Sequence, residues 1–314
     1  MKRKIFQNLY PQIPRRNYRE LLRWVATRRP DQVWKKMAVE PTVPSCERVQ
    51  KGEMHATFVN HSTVLIQIDG INILTDPIWS ERCSPIPFAG PRRYCNPGID
   101  FDALPPIDVV LLSHNHYDHT DLPTLKKLQR AHHPLFCVAL GNKRHLERKG
   151  LRNVHEFAWW HSKEIMPKLF IKFVPAQHFT RRGLFDENKT LWGGFILKST
   201  SATLYFAGDT GYGSHFKEIR KRCGDPDFSL LPIGAYLPRR LMQPVHMSPE
   251  DAVMAHLDLG SKHSMGIHFG TFHLGDEGPH QASKDLELAL QKHHVPQDAF
   301  VALPNGGTIK LNYH

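Results

Sequence analysis

The run Ser113-His114-Asn115-His116-Tyr117-Asp118-His119 constrains this chain more than any other stretch. Three imidazoles and one carboxylate follow directly on the apolar residues 109–112. An apolar run ending in Ser-His reads as a buried strand that delivers side chains at its C-terminal end. His114 and His116 stand two apart, so an extended chain turns both imidazoles to one face. Asp118 and His119 come after the turn and address a second point. One short segment therefore supplies ligands to two metal ions. Such a donor set suits zinc, with iron and manganese as alternatives. The chain has 21 histidines, so a pair alone would carry little weight. An H-x-H-x-D-H string behind a strand is much harder to reach by chance.

Further candidates sit where other predicted strands end. Residues 169–174 run into Pro175-Ala176-Gln177-His178. Residues 203–206 run into Ala207-Gly208-Asp209-Thr210-Gly211, which puts a carboxylate on a sterically open turn suited to bridging two metals. A short strand over 264–268 ends in His268 itself. Strands are also expected at 55–60, 63–68, 71–74, 135–140, 153–157 and 192–198. Helices are expected at 122–129, 142–149, 216–221, 248–257 and 281–293. A final hairpin is expected from 300–303 and 308–311 around Asn305-Gly306-Gly307. Strands, helix, strands, helices, twice over, imply the α/β class: two mixed sheets flanked by helices, an α/β/β/α sandwich.

Charge is unevenly spread. Residues 1–36 hold 11 Lys or Arg against Glu20 and Asp31, leaving 30 basic and 28 acidic residues elsewhere (41 − 11 and 30 − 2). The division expected is a basic arm over 1–52 and a hydrolase domain over 53–314. Within the arm, residues 18–28 suit a short helix with Tyr18, Leu21, Leu22 and Val25 on one face and Arg15, Arg16, Arg19 and Arg23 around it. Such a segment either packs on the body or lies on an anionic membrane; packing is favoured. No nucleic-acid motif accompanies the charge, so no nucleic acid is expected as partner. Five scattered cysteines without a C-x-x-C, and a basic start with no apolar run behind it, point to a reducing cytoplasm. The long loop 78–108, with Trp79, Arg82, Phe88, Arg92, Arg93 and Tyr94, reads as a wall of a substrate groove.

The H-x-H-x-D-H string is the signature of the metallo-β-lactamase superfamily, which the chain resembles. The segments Asn60-His61-Ser62-Thr63, Asp76-Pro77-Ile78-Trp79, Gly90-Pro91-Arg92-Arg93-Tyr94, Gly208-Asp209-Thr210-Gly211-Tyr212 and Ile267-His268-Phe269-Gly270-Thr271 narrow this resemblance. They are similar to the N-acyl-phosphatidylethanolamine-hydrolysing phospholipase D family. The resemblance implies two zinc ions per chain, one held by His114, His116 and His178, the other by Asp118, His119 and His268, with Asp209 bridging. A hydroxide between the metals, held by Asp118 and Asp209, would attack phosphorus and release phosphatidic acid and an N-acylethanolamine. His246 matches a histidine near substrate and is assigned proton transfer to the leaving oxygen. Arg92 and Tyr94 are assigned to substrate, and His61 matches a position behind the metals. The partners implied are a phospholipid, a peripheral membrane contact and a homodimer. The same site also suits a soluble ester, lactone, cyclic phosphodiester or RNA. A metal-stabilised binding protein without turnover is a third reading.

Overall fold

The computed structural model describes residues 5–10, 18–27 and 34–313. Six strands come first: β1 (Glu53–Asn60), β2 (Thr63–Ile68), β3 (Ile71–Thr75), β4 (Val109–Leu112), β5 (Leu135–Ala139) and β6 (Val154–Phe157). Then follow β7 (Ser162–Met166), β8 (Leu169–Val174), β9 (Gly194–Lys198), β10 (Thr203–Phe206), β11 (Phe228–Pro232), β12 (His263–Ile267), β13 (Phe300–Val301) and β14 (Thr308–Asn312). They form two seven-stranded sheets, ordered β14-β1-β2-β3-β4-β5-β6 and β13-β12-β11-β10-β9-β8-β7. Each sheet makes three antiparallel pairings at one end and three parallel ones at the other. The expected pair of mixed sheets is therefore present.

The inner faces of the sheets share one apolar core, with Phe58, Val109 and Leu111 on one side and Phe173, Phe195 and Phe206 on the other. The helices are α1 (Tyr18–Thr27), α2 (Leu122–Ala131), α3 (Lys143–Arg148), α4 (His215–Cys223), α5 (Arg239–Met242), α6 (Pro249–Leu259) and α7 (Gln281–Lys292). Val110, Leu112 and Phe136 turn outward onto Leu125 and Leu128 of α2 and Leu146 of α3. Leu231 and Ile233 do the same onto α4, α6 and α7. Both faces of β4 are buried, which is why residues 109–112 are continuously apolar rather than alternating. Helix α6 starts with the expected cap: Ser248 accepts from the Asp251 backbone, Asp251 answers from the Ser248 backbone, and Pro249 fills the first turn.

Three expectations need correction. The final hairpin does not form. β13 pairs with β12 in one sheet, while β14 pairs with β1 in the other. The Asn305-Gly306-Gly307 turn instead crosses between sheets, with Gly306 N donating to Phe58 O and Phe58 N to Gly307 O. β7 was missed because it is an exposed edge strand, Ser-Lys-Glu-Ile-Met, without an alternating apolar face. β11 was missed because its five residues are buried on both faces and show no period.

The arm is packed on the body where it is described. Trp24 Nε1 donates to Asp276 Oδ2 at 2.7 Å, and Trp34 Nε1 to Glu277 O at 3.1 Å. Glu20 pairs with Arg240 at 2.9 Å. Arg15, Arg16 and the side chains of Tyr18, Leu21 and Val25 lie outside the described residues, and with them most of the expected amphipathic face.

One buried histidine makes stability sensitive to acid. His256, on α6, bonds Ser264 Oγ through Nδ1 at 2.8 Å. Burial, then the His263 charge, lowers its pKa from 6.5 to about 4. Its contribution is complete above pH 6.5. It is lost as pH falls toward 4, because the unfolded chain takes up the proton first. Comparing urea unfolding of wild type and His256→Gln at pH 7 and pH 4.5 should move their stability difference by roughly 2 kcal/mol in favour of the variant.

Candidate metal centre

The pairing directions decide where the candidate ligands meet. β1, β3 and β4 run the same way, as do β8, β10 and β12, so the C-terminal ends of each set share one edge. Asp76 and His114 leave the first sheet there. His178, Asp209 and His268 leave the second. A hydrogen bond from His268 N to His61 O, 2.7 Å long, ties the two edges together. His61, Asp76 and His268 all take positive φ values, 47°, 31° and 63°. Left-handed backbone is costly for such residues and collects at functional sites.

The side chains form two adjoining groups. In the first, His116 Nδ1 stands 2.8 Å from His114 Nε2 and 3.3 Å from His178 Nε2. In the second, Asp118 Oδ2 stands 3.0 Å from His61 Nε2, 3.2 Å from His119 Nε2 and 3.4 Å from His268 Nε2. Asp209 Oδ2 lies between them. It is 3.2 Å from His119 and His268, 3.7 Å from His178 and 4.0 Å from His114.

These donors fit metal ions by their chemistry. His119 Nε2, both ring nitrogens of His268 and Asp209 Oδ1 are buried without a hydrogen bond. Buried polar atoms are rarely left so. Ligand atoms on one ion of zinc size stand roughly 3 to 3.5 Å apart, close to the spacings within each group. Charge agrees. Burial, the largest influence, pushes the His119 imidazole down, but Asp209, Asp118 and Asp76 together hold it well above its ordinary value. Burial likewise raises Asp209, yet His119 and His268 hold it well below the usual carboxylate range. Two buried carboxylates, Asp76 and Asp209, and the partly buried Asp118 in one cluster favour a bound cation.

The far sides of the rings are braced. Asp76 is fully buried and accepts from Ser113 N at 2.8 Å and Ser113 Oγ at 2.5 Å. Its Oδ2 lies 2.6 Å from His119 Nδ1. Ser113 Oγ also meets His114 Nδ1 at 2.9 Å, and Val245 O meets His178 Nδ1 at 2.9 Å. Such contacts fix which ring nitrogen faces a metal. The arm takes part as well: Asn8 Nδ2 donates to His178 O at 3.1 Å, and Asn8 Oδ1 accepts from His178 N at 3.2 Å and Trp192 Nε1 at 3.0 Å.

Arg182 braces the ligand loop from behind. Its Nη1 donates to Asn115 O and Thr120 O, both at 2.9 Å, so one nitrogen spans His116, Asp118 and His119. Its guanidinium lies 4.0 Å over the Tyr117 ring, whose hydroxyl donates to Arg182 O. Sequence reasoning missed both Asp76 and Arg182. Asp76 had a signal, standing at the end of a strand beside the one carrying His114. Arg182 had only its place four residues after His178. Arg182→Ala should weaken metal affinity about tenfold to a hundredfold, read by chelator competition. Arg182→Lys should recover only part, because an ammonium lacks the flat face that covers Tyr117.

The remaining expected residues are placed as follows. His246 Nδ1 is 3.8 Å from Asp209 Oδ2, and its ring stacks 5.2 Å from that of His268. Its side chain is 12% exposed against 0–1% for His114, His119, His178 and His268, so it stands at the open side of the cluster. Arg92 is exposed and pairs with Glu81 at 3.3 Å. Tyr94 packs its ring 5.4 Å from that of Trp34. The buried loop arginine is Arg93, which donates to the carbonyls of Ile78, Ser80 and Cys95 and holds the loop rather than a ligand.

Comparison with known proteins agrees with the site. The beta-lactamase superfamily domain matches residues 71–269. The chain belongs to this superfamily, a class of metal-dependent hydrolases. Within it, the chain is 34% identical to N-acyl-phosphatidylethanolamine-hydrolyzing phospholipase D 1 of Caenorhabditis elegans, over 81% of this chain and 74% of that one. It is 38% identical to an uncharacterized protein of Mycobacterium tuberculosis, over 84% of this chain and 70% of that one. In fold it is similar to the metallo hydrolase Igni18 of Ignicoccus hospitalis, with a TM-score of 0.63 and 21% identity, covering 83% of this chain and 100% of that one.

Proposed function

We propose that this hydrolase is a dinuclear zinc phosphodiesterase that cleaves N-acyl-phosphatidylethanolamine-type phospholipids to phosphatidic acid and an N-acylethanolamine. The observation that carries the reading is Asp209 Oδ2 set between two histidine groups. The similarity to the nematode phospholipase D supports the substrate class. In this reading His114, His116 and His178 would hold one ion and Asp118, His119 and His268 the other, with Asp209 available to both. Iron or manganese would suit the same donors. Bound ions of this kind acidify water and offset charge on phosphate oxygens.

The chain's own residues do the rest. Asp118 and Asp209 accept hydrogen bonds from the attacking water and orient it. Asp76, Ser113 and Val245 keep the imidazoles turned inward. His246, at the open side, hands a proton to the leaving alkoxide, a task an imidazole can perform because its ring nitrogens both hold and release protons. All three guanidinium nitrogens of Arg93 are committed to carbonyls, so Arg93 is not free to bind phosphate.

The test is release of phosphatidic acid from N-acyl-phosphatidylethanolamine by the zinc-loaded full chain, in vesicles and in detergent micelles, with His116→Ala as control. Release by wild type alone is expected. No release in either medium, with metal occupancy confirmed, would transfer the site to a soluble ester, lactone or phosphodiester.

A further inference from the structure

A groove of about 1050 Å³ runs along the ligand loop, lined by Asn115, Tyr117 and Thr120 but by none of the candidate ligands. Two other loops form its rim. One contributes Pro85, Ile86 and Pro87, the other Gly183 and Asp186. Their tips expose Ile86 (42%), Phe88 (79%), Leu184 (78%) and Phe185 (85%). A single exposed apolar side chain is ordinary, but four large ones on two tips beside one groove form a patch.

The groove is cationic. Its lining holds six basic residues, Arg82, Arg144, Arg148, Lys149, Arg182 and Lys189, against Glu81, Asp121 and Asp186. The acids are already engaged: Asp121 by Ser80 and Thr124, Asp186 by the backbone of Arg182 and Gly183, Glu81 by Arg92. Arg144, Arg148 and Lys149 are exposed on and just after α3 and form no ion pair among the described residues.

We propose that this face, not the N-terminal arm, docks the protein on an anionic phospholipid bilayer. Ile86, Phe88, Leu184 and Phe185 enter the interface, and the α3 cations meet lipid phosphates. Apolar tips within a basic collar match such a surface in both chemistry and charge. A second copy of the chain matches it poorly, because a two-fold contact would set these cations against their own copies. The arm, by contrast, spends Trp24 and Trp34 on the body. The docked bilayer would lie against the loop that carries His116, Asp118 and His119. The inference rests on the lipid reading for its substrate, while the binding itself is measurable apart from turnover.

The experiment is co-sedimentation of the full chain with vesicles of phosphatidylcholine, alone or mixed with phosphatidylglycerol. Binding is expected to the mixed vesicles, with loss at high salt. Leu184→Asp/Phe185→Asp should lower it about tenfold or more, since two large side chains leave the interface. Arg144→Glu/Arg148→Glu should lower it at least about fivefold for each charge removed. Thermal unfolding and metal content of both variants should match wild type. Wild type that ignores the mixed vesicles, or variants that bind as well as wild type, would overturn the proposal. So would a dimer in sedimentation velocity that Leu184→Asp/Phe185→Asp dissolves while vesicle binding persists. Hydrolysis in micelles without vesicle binding would sink the docking face and leave the activity standing. Vesicle binding without hydrolysis in either medium would do the reverse.

Discussion

Asp209→Ala should lose turnover by about 10³-fold or more and retain at most part of its metal. The reason is position. Asp209 Oδ2 lies within 4.0 Å of ring nitrogens from both groups, and Asp76 is the other carboxylate grouped with a ring from each, His114 and His119. Asp118 faces only the second group, and Asp76 turns to the outer nitrogens of the rings. Without Asp209 the rings of His119 and His268 would share a pocket with one carboxylate fewer, so like charges would oppose binding of two cations. Metal analysis of the purified variant beside its steady-state rate checks this. Asp209→Asn is the sharper control, since it keeps the volume and removes the charge. Two metals and near-wild-type turnover in Asp209→Asn would end the bridging assignment.

Asp76→Asn should cost about tenfold to a hundredfold in metal affinity, although Asp76 faces no metal in the proposed arrangement. Its Oδ2 lies 2.6 Å from His119 Nδ1, so in the proposed metal-bound arrangement it would accept the Nδ1 proton and leave Nε2 for the metal. An amide offers its nitrogen to one of the partners that Asp76 now accepts from. If that partner is Nδ1, the ring must carry its proton on Nε2, and a protonated Nε2 cannot bind a metal. If it is the Ser113 backbone N–H, two donors meet and a buried hydrogen bond is lost, at about 1 to 3 kcal/mol. Competition with a fluorescent chelator reads the first effect and urea unfolding the second. Wild-type values for both would show that Asp76 only fills space.

The seven side chains expected at the centre come together in the structure, and their signal in the sequence is local. His114, His116, Asp118 and His119 lie in one loop, and His178, Asp209 and His268 each follow a short apolar run. Those runs are buried, so burial and ligand delivery left the same mark on the chain. The reading weakened wherever a contact joined distant segments. Arg92 and Tyr94 were expected at a substrate, and the structure sets one beside Glu81 at the surface and the other against Trp34. Nothing in the order Gly-Pro-Arg-Arg-Tyr tells which arginine turns inward. That choice follows from which carbonyls the folded loop leaves for Arg93. The final two strands failed for a similar reason: a Gly-rich turn between apolar runs looks the same whether it closes a hairpin or crosses between sheets.

By itself the sequence determined the class of fold, the kinds of candidate metal ligand and the strand ends that carry them. Those properties depend on residue type and on spacing over a few positions. Only the tertiary structure decided which imidazoles share a point in space. It also turned Asp76, Arg182 and Asn8 toward them, and set four apolar side chains around a basic groove. Each of these joins segments tens to more than a hundred residues apart. Contacts at that range are set by how the two sheets align, and local chain patterns do not record that alignment.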